Sequence, residues 1–244
     1  MNELGGSALY LSANDMQLGR GETIADTARV LSRFVHCIME RVYKHKDVED
    51  LAAEASVPVI NGLSDLSHPM QILADLLTIW EKKGKVKGVK VAFIGDGNNV
   101  CNTLLVGCTK LGADISVACP SGYQPDPQHL VWAKQNAAAS GSRVVITQEP
   151  AEAVEGAGVV YTDVFVSMCE DAERERRMKV FLPKYQVTKQ LLSAASADAV
   201  FMHDLPAHRG EEVAPDVIDG PKSIVWDQAE NRMHTAKAVL SLLV

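Results

Sequence analysis

Ser67-His68-Pro69-Met70-Gln71 brings an imidazole and an amide to one short stretch. Proline lacks an N–H and suits the first position inside a helix. That puts His68 at the N-cap position and Gln71 on the first turn. A helix start carries free N–H groups and a partial positive charge, so this stretch has the makings of an anion site. Other polar groups gather where β-type apolar runs end. Arg41 closes the run at residues 35–39, and Asn99 follows Gly95-Asp96-Gly97-Asn98. Asp163 and Ser167 follow Tyr161-Thr162, where an acid suits an ammonium ligand, although the pair also reads as an ordinary helix N-cap. His203, Asp204, His208 and Arg209 leave Phe201-Met202, and Arg232 stands in the opening of the last helical stretch. An arginine fork donates two parallel hydrogen bonds to phosphate or carboxylate. By themselves, Arg41 and Arg232 read equally well as surface charges.

Several chemistries are disfavoured by pattern. Gly95-x-Gly97 is not followed by a third glycine. The strand that should end in an acidic ribose ligand ends instead in Val117-Ala118-Cys119-Pro120, so a dinucleotide is not expected. No metal is expected at His203, Asp204 and His208, because no further acidic or histidine cluster supports one. No Gly-x-Ser-x-Gly elbow supplies a serine nucleophile. The cysteines are odd in number and scattered without metal-ligand spacing, which reads as free thiols in a reducing compartment. A net charge of −7 argues against duplex binding. No apolar run is long enough to span a bilayer, and the first residues do not read as a signal or transit peptide. A cytoplasmic protein is expected, or one of an organellar matrix should a longer precursor exist.

Positioning these groups requires strands that end near one another. Strand-like runs fall at residues 8–11, 35–39, 57–60, 89–94, 114–118, 143–146, 159–161, 199–202 and 223–225. Helical patterns lie between most of them, with long ones at 23–34, after Pro69 and at 228–243. Such alternation predicts an α/β fold of parallel sheets covered by helices. The lysine-rich stretch at 82–88 reads as a solvated join between two α/β domains. In open parallel sheets ligands bind beyond the carboxyl ends of the strands, where the polar groups named above fall. In the helix after Pro69, Ile72, Leu73, Leu76, Leu77 and Trp80 form the expected apolar face.

Taken together, His68-Pro69-Met70-Gln71-Ile72-Leu73-Ala74-Asp75-Leu76, Gly95-Asp96-Gly97-Asn98-Asn99, Asp163 with Ser167-Met168, Leu205-Pro206 and Ala229-Glu230-Asn231-Arg232 closely resemble the ornithine carbamoyltransferase family. Gln17-Leu18-Gly19-Arg20-Gly21-Glu22 and Asp26-Thr27-Ala28-Arg29-Val30-Leu31 fit as well, so the resemblance covers nearly the whole chain. It implies two doubly wound parallel-sheet domains, the first one truncated. Residues 1–80 would be the remainder of a carbamoyl phosphate domain plus a linking helix. Residues 81–227 would be an ornithine-binding, Rossmann-like domain, with 228–244 a helix returning to the first.

The implied reaction is carbamoyl phosphate plus L-ornithine to L-citrulline and phosphate, in arginine biosynthesis or urea-cycle-type metabolism, without a cofactor. Arg41, His68 and Gln71 would hold carbamoyl phosphate, with Arg41 and His68 polarising its carbonyl and Arg232 on the same side. Asn99, Asp163, Ser167, Met168 and Leu205 would hold ornithine. A homo-oligomer, a trimer in the family, is implied, with no nucleic acid or membrane partner.

Three departures carry expectations of their own. No Ser-x-Arg-Thr run occurs, whereas the family grips the phosphate with Ser-Thr-Arg-Thr-Arg, so the 244 residues alone are expected to turn over weakly or not at all. A silent homologue that binds only amino acid or partner subunits is the alternative. Asp204 stands where the family has cysteine. A carboxylate there would attract the ornithine ammonium and repel phosphate, at a cost reaching several kcal/mol in a dry site. Cys169 replaces the glycine after Ser-Met.

Overall fold

The computed structural model describes residues 1–12, 16, 21–167 and 171–244, which form two units. The first comprises Met1–Met70 and Met233–Val244, the second Gln71–Arg232.

In the first unit, Thr23 caps helix α1 (Ile24–Leu31) by accepting from the Asp26 N–H at 3.1 Å. Strands β1 (Ile38–Arg41) and β2 (Val59–Leu63) pair in parallel, from Ile38↔Val59 to Arg41↔Leu63, around helix α2 (His45–Glu54). Because the strands are parallel, Arg41 and the turn following Leu63 emerge at the same end of the pair. A Cβ on Gly62 would lie 2.5 Å from Met39 Sδ and 3.0 Å from the Glu40 carbonyl oxygen, so glycine gives the two strands room to approach. The strand expected at 8–11 does not form: these residues are irregular, with Tyr10 92 % exposed. Alternation alone does not hold a strand that has no partner.

The second unit is a five-stranded parallel sheet made of β3 (Lys90–Ile94), β4 (Asp114–Ala118), β5 (Val144–Thr147), β6 (Val159–Thr162) and β7 (Val200–Met202), in the order β5-β4-β3-β6-β7. Its covering elements are α3 (Pro69–Lys83) from Gln71 onward, α4 (Asn99–Lys110), α5 (Pro127–Ser140), α6 (Pro150–Val154), α7 (Arg174–Phe181), α8 (Lys189–Ser193), α9 (Pro215–Ile218) and α10 (Val225–Leu243) as far as Arg232. Alternate strand residues feed two cores. Val91, Phe93, Ile115, Val117 and Tyr161 pack with Ile72, Leu76, Ile79 and Leu104. Ala92, Ile94, Val160 and Phe201 pack with Phe165, Phe181 and Val217. Strand order reverses beside β3, which places a crevice at the carboxyl ends of β3 and β6.

Three local expectations change. Residues 223–225 form no strand: Ser223 makes an isolated bridge to Phe201, and α10 begins at Val225. The stretch at 82–88 is not a bare solvated join, since Lys83 reaches Asp198 Oδ2 at 3.0 Å and Val86 enters the core. On α3, Leu73 and Trp80 are exposed, while Asp75 and Thr78 are fully buried beside Ile72 and Ile79. The buried face is therefore partly polar, and a simple apolar count misplaces it.

Candidate functional site

In the first unit the turn after β2 is tied down by polar side chains. Asn61 Nδ2 donates to Ser67 Oγ at 2.9 Å, and the Ser64 N–H donates to the Ser67 carbonyl at 2.9 Å. His45 Nδ1 meets Ser64 Oγ at 2.8 Å, and the His45 N–H donates to Asp65 Oδ1 at 2.9 Å. This cross-linked turn delivers His68, which is buried, to the position just before Pro69. Arg41 is exposed at the end of β1.

In the second unit, the carboxyl ends of β3, β6 and β7 bring a polar group together. Asn98 caps α4, its Oδ1 accepting from the Cys101 N–H at 3.1 Å, while its Nδ2 donates to Asp163 Oδ2 at 2.6 Å. Asn99 opens α4, and its Oδ1 accepts from the Val100 N–H. Asp163 is not a helix cap. The residues after it are irregular, and its Oδ1 accepts from its neighbour Val164 at 2.6 Å. Ser167 ends this described segment, and Met168 and Cys169 lie outside the described residues.

His203 is fully buried. Its Nδ1 accepts from the Leu205 N–H at 2.9 Å, so Nε2 carries the proton toward Glu212 Oε1 at 3.2 Å. Leu205 itself is held at φ 59°, a left-handed conformation that non-glycine residues rarely adopt. Donor atoms of Asp163, His203 and Asp204 lie within 4.8 Å of one another. Because both imidazole nitrogens are engaged, the trio reads as a hydrogen-bonded polar cluster and no metal is assigned to it.

The Asp204 carboxyl is pushed well above the ordinary aspartate range by burial, by the charge of Asp163 and its hydrogen bond, and by Asp75. These surroundings shift Asp204 toward its neutral form relative to an ordinary aspartate, and the repulsion of a phosphate expected from its charge falls with that shift. Its Oδ1 has no hydrogen-bond partner among the described residues. A carboxyl whose folded pKa is raised contributes stability that is complete below its unfolded pKa, about 4, and lost as pH rises through the folded value. Asp204→Asn, which keeps the neutral shape, is therefore expected to gain in stability on the wild type as pH rises. Thermal unfolding measured from pH 5 to 9 checks this, and parallel curves would contradict it.

A second polar cluster in this unit surrounds Gln71. Gln71 Nε2 donates to Asp75 Oδ1 at 2.9 Å, and its Oε1 accepts from Arg232 Nη1. Asn231 Nδ2 donates to Thr78 Oγ1 at 2.9 Å and to Glu81 Oε2 at 2.7 Å, which fixes α10 against α3 beside Arg232. Asp75, Arg177, Glu212 and Gln228 escaped the residue-by-residue reading. Arg177, 5 % exposed, pairs with Asp96 and donates from Nε to the Phe165 carbonyl at 2.5 Å, bracing the 95–99 loop. Gly97 completes that loop, since a Cβ there would lie 2.2 Å from Pro125 N.

Comparison with known proteins identifies the family. Residues 1–81 match the aspartate/ornithine carbamoyltransferase carbamoyl-P binding domain, and residues 87–243 match the Asp/Orn binding domain of the same family. An ornithine carbamoyltransferase of Pyrococcus horikoshii is 64% identical over 244 residues, covering 100% of this chain and 77% of that protein. One from Bacillus subtilis is 57% identical, covering 100% and 76%. The solved ornithine carbamoyltransferase of Pyrococcus furiosus superposes with a TM-score of 0.96 at 63% identity, covering 100% of this chain and 77% of that one.

Proposed function

The chain belongs to the aspartate/ornithine carbamoyltransferase family, and from that premise we propose that it transfers the carbamoyl group of carbamoyl phosphate to the δ-amine of L-ornithine, giving L-citrulline and phosphate in arginine biosynthesis. The observation that carries this reading is the match along the whole chain, at 64% identity, to a protein named for ornithine. No helix among the described residues is long and apolar enough to cross a membrane.

In this reading residues 1–80 serve carbamoyl phosphate and residues 81–227 serve ornithine. Arg41 and His68 polarise the carbamoyl carbonyl, and Gln71 and Arg232 hold the same substrate. Asn99, Asp163, Ser167, Met168 and Leu205 take the amino-acid end of ornithine, with the negative charge of Asp163 suited to its ammonium. The neutral δ-amine attacks the carbonyl carbon, the oxyanion is met by Arg41 and His68, and phosphate leaves as the carbonyl re-forms, taking up the proton that the amine nitrogen loses. Positioning and preorganised charge supply the acceleration, with no covalent intermediate. A homo-oligomer, a trimer as the resemblance implies, belongs to the same reading.

The test is product formation by the 244-residue chain with carbamoyl phosphate and ornithine, aspartate or putrescine in turn. Slow turnover is expected, because no Ser-x-Arg-Thr run is among these residues, with citrulline in clear excess over the other products. A preference for either other amine would overturn the ornithine reading.

A further inference from the structure

Asp75 is fully buried on α3, and both of its carboxylate oxygens accept hydrogen bonds. Gln71 Nε2 and Gln228 Nε2 both donate to Oδ1, at 2.9 and 2.7 Å. The Tyr161 hydroxyl, also fully buried, donates to Oδ2 at 3.0 Å and accepts from Gln228 Nε2 at 3.0 Å. An amide whose nitrogen is committed to a carboxylate has its oxygen orientation settled. For Gln71 that oxygen accepts from Arg232 Nη1. For Gln228 it accepts from the backbone N–H of His203 at 3.0 Å. His203 in turn takes the Leu205 N–H on Nδ1. One continuous path of hydrogen bonds therefore runs from Arg232 and Gln71, through Asp75 and Gln228, to the backbone that carries Asp204 and Leu205.

We propose that Asp75 is a positioning residue: its buried carboxylate orients the Gln71 amide toward Arg232 and, through Gln228, fixes the His203–Leu205 backbone, so one side chain sets both the carbamoyl phosphate and the ornithine groups of this unit. The assignment of those groups to the two substrates rests on the function proposed above; the orienting role rests on the hydrogen bonds themselves.

The carboxyl is raised to about 6, burial outweighing the hydrogen bonds from Gln71, Gln228 and Tyr161 and the charge of Arg232. The charged or titratable groups around it are Arg232 on α10, Tyr161 on β6, Cys108 on α4 and Asp204 after β7. Tyr161 and Cys108 are both pushed up by burial and so stay neutral across the working range. Protonating Asp75 removes the negative charge that strengthens all three hydrogen bonds and adds an O–H that needs an acceptor of its own, so the hold on the donors weakens. Below about pH 6 the Gln71 and Gln228 amides are therefore held less firmly.

Two readouts on the full chain test this. In the first, side-chain amide resonances of Gln71 and Gln228 are followed by nitrogen-15 NMR without ligand. They are expected to shift with a midpoint near pH 6 in the wild type, to lose that titration in Asp75→Asn, and to exchange faster with solvent in Asp75→Ala. In the second, carbamoyl phosphate binding is measured by calorimetry across the same pH range. Asp75→Ala is expected to weaken binding about tenfold to a hundredfold. Asp75→Asn keeps an oxygen toward both amides, so it should bind nearly as the wild type does at pH 7.5 and fall off less as pH drops. Titration of the ligand's own phosphate affects both proteins alike and cancels in that difference.

Amide resonances that neither titrate nor change in the two variants would overturn the proposal, as would wild-type affinity in Asp75→Ala. Should the wild type fail to bind carbamoyl phosphate while the amides behave as expected, the substrate assignment fails and the positioning role stands.

Discussion

Arg177→Ala is expected to destabilise the protein by about 3–5 kcal/mol, because it strands a buried carboxylate. Asp96 is 12 % exposed and Arg177 5 %, so neither group has much water to fall back on. The guanidinium also donates to the Phe165 carbonyl and lies over the rings of Tyr123 and Phe181, 5.0 and 5.6 Å from their centroids. Removing it deprives Asp96 of its counter-charge and Phe165 of a donor, and it loosens the loop that leads into α4. Arg177→Lys keeps the charge but cannot serve Asp96 and Phe165 with one planar fork, so an intermediate loss is expected. Urea unfolding of the three proteins measures this. A loss below about 1 kcal/mol in the alanine variant would place the pair among ordinary surface contacts.

His68→Ala should lower the rate of citrulline formation about 10²- to 10³-fold, the usual effect of losing one donor to a developing oxyanion. The loss should fall on kcat rather than on the KM for ornithine, since the imidazole is assigned to charge that appears only in the transition state. His68 is buried, so a truncation there could also disturb folding. An unfolding curve close to that of the wild type separates the two effects. A variant that unfolds normally and keeps its kcat would remove His68 from the catalytic role.

Much of this was legible in the sequence because it is local. The alternation of β-rich and helical patterns announced parallel sheets, and Pro69 marked the start of α3 where the structure begins it. The clusters at strand ends were visible for the same reason: a parallel sheet collects them at one edge. What escaped depends on partners distant along the chain. Arg177 lies in Arg174-Glu175-Arg176-Arg177, a charge run that reads as solvated, and only the fold reveals that Asp96, 81 residues earlier, waits for it. Asp75 sits among leucines in the sequence, and its partners Tyr161 and Gln228 lie 86 and 153 residues away. Asp204 was legible as a carboxylate in a dry site, but not the neighbouring Asp163 and Asp75 that, with burial, shift it toward its neutral form. Periodicity reports which face a residue takes, but not which groups will meet it there.

The carboxylate of Asp75 also bears on how the chain folds. Its donors arrive at very different times: Gln71 is one helical turn away, Tyr161 is 86 residues further on, and Gln228 is 153. A growing chain that packed α3 early would bury the charge with a single local donor, a state penalised by desolvation. The penalty lifts only when β6 and α10 have both docked. The acid thus discriminates against premature collapse and ties completion of the core to the last helix of the chain.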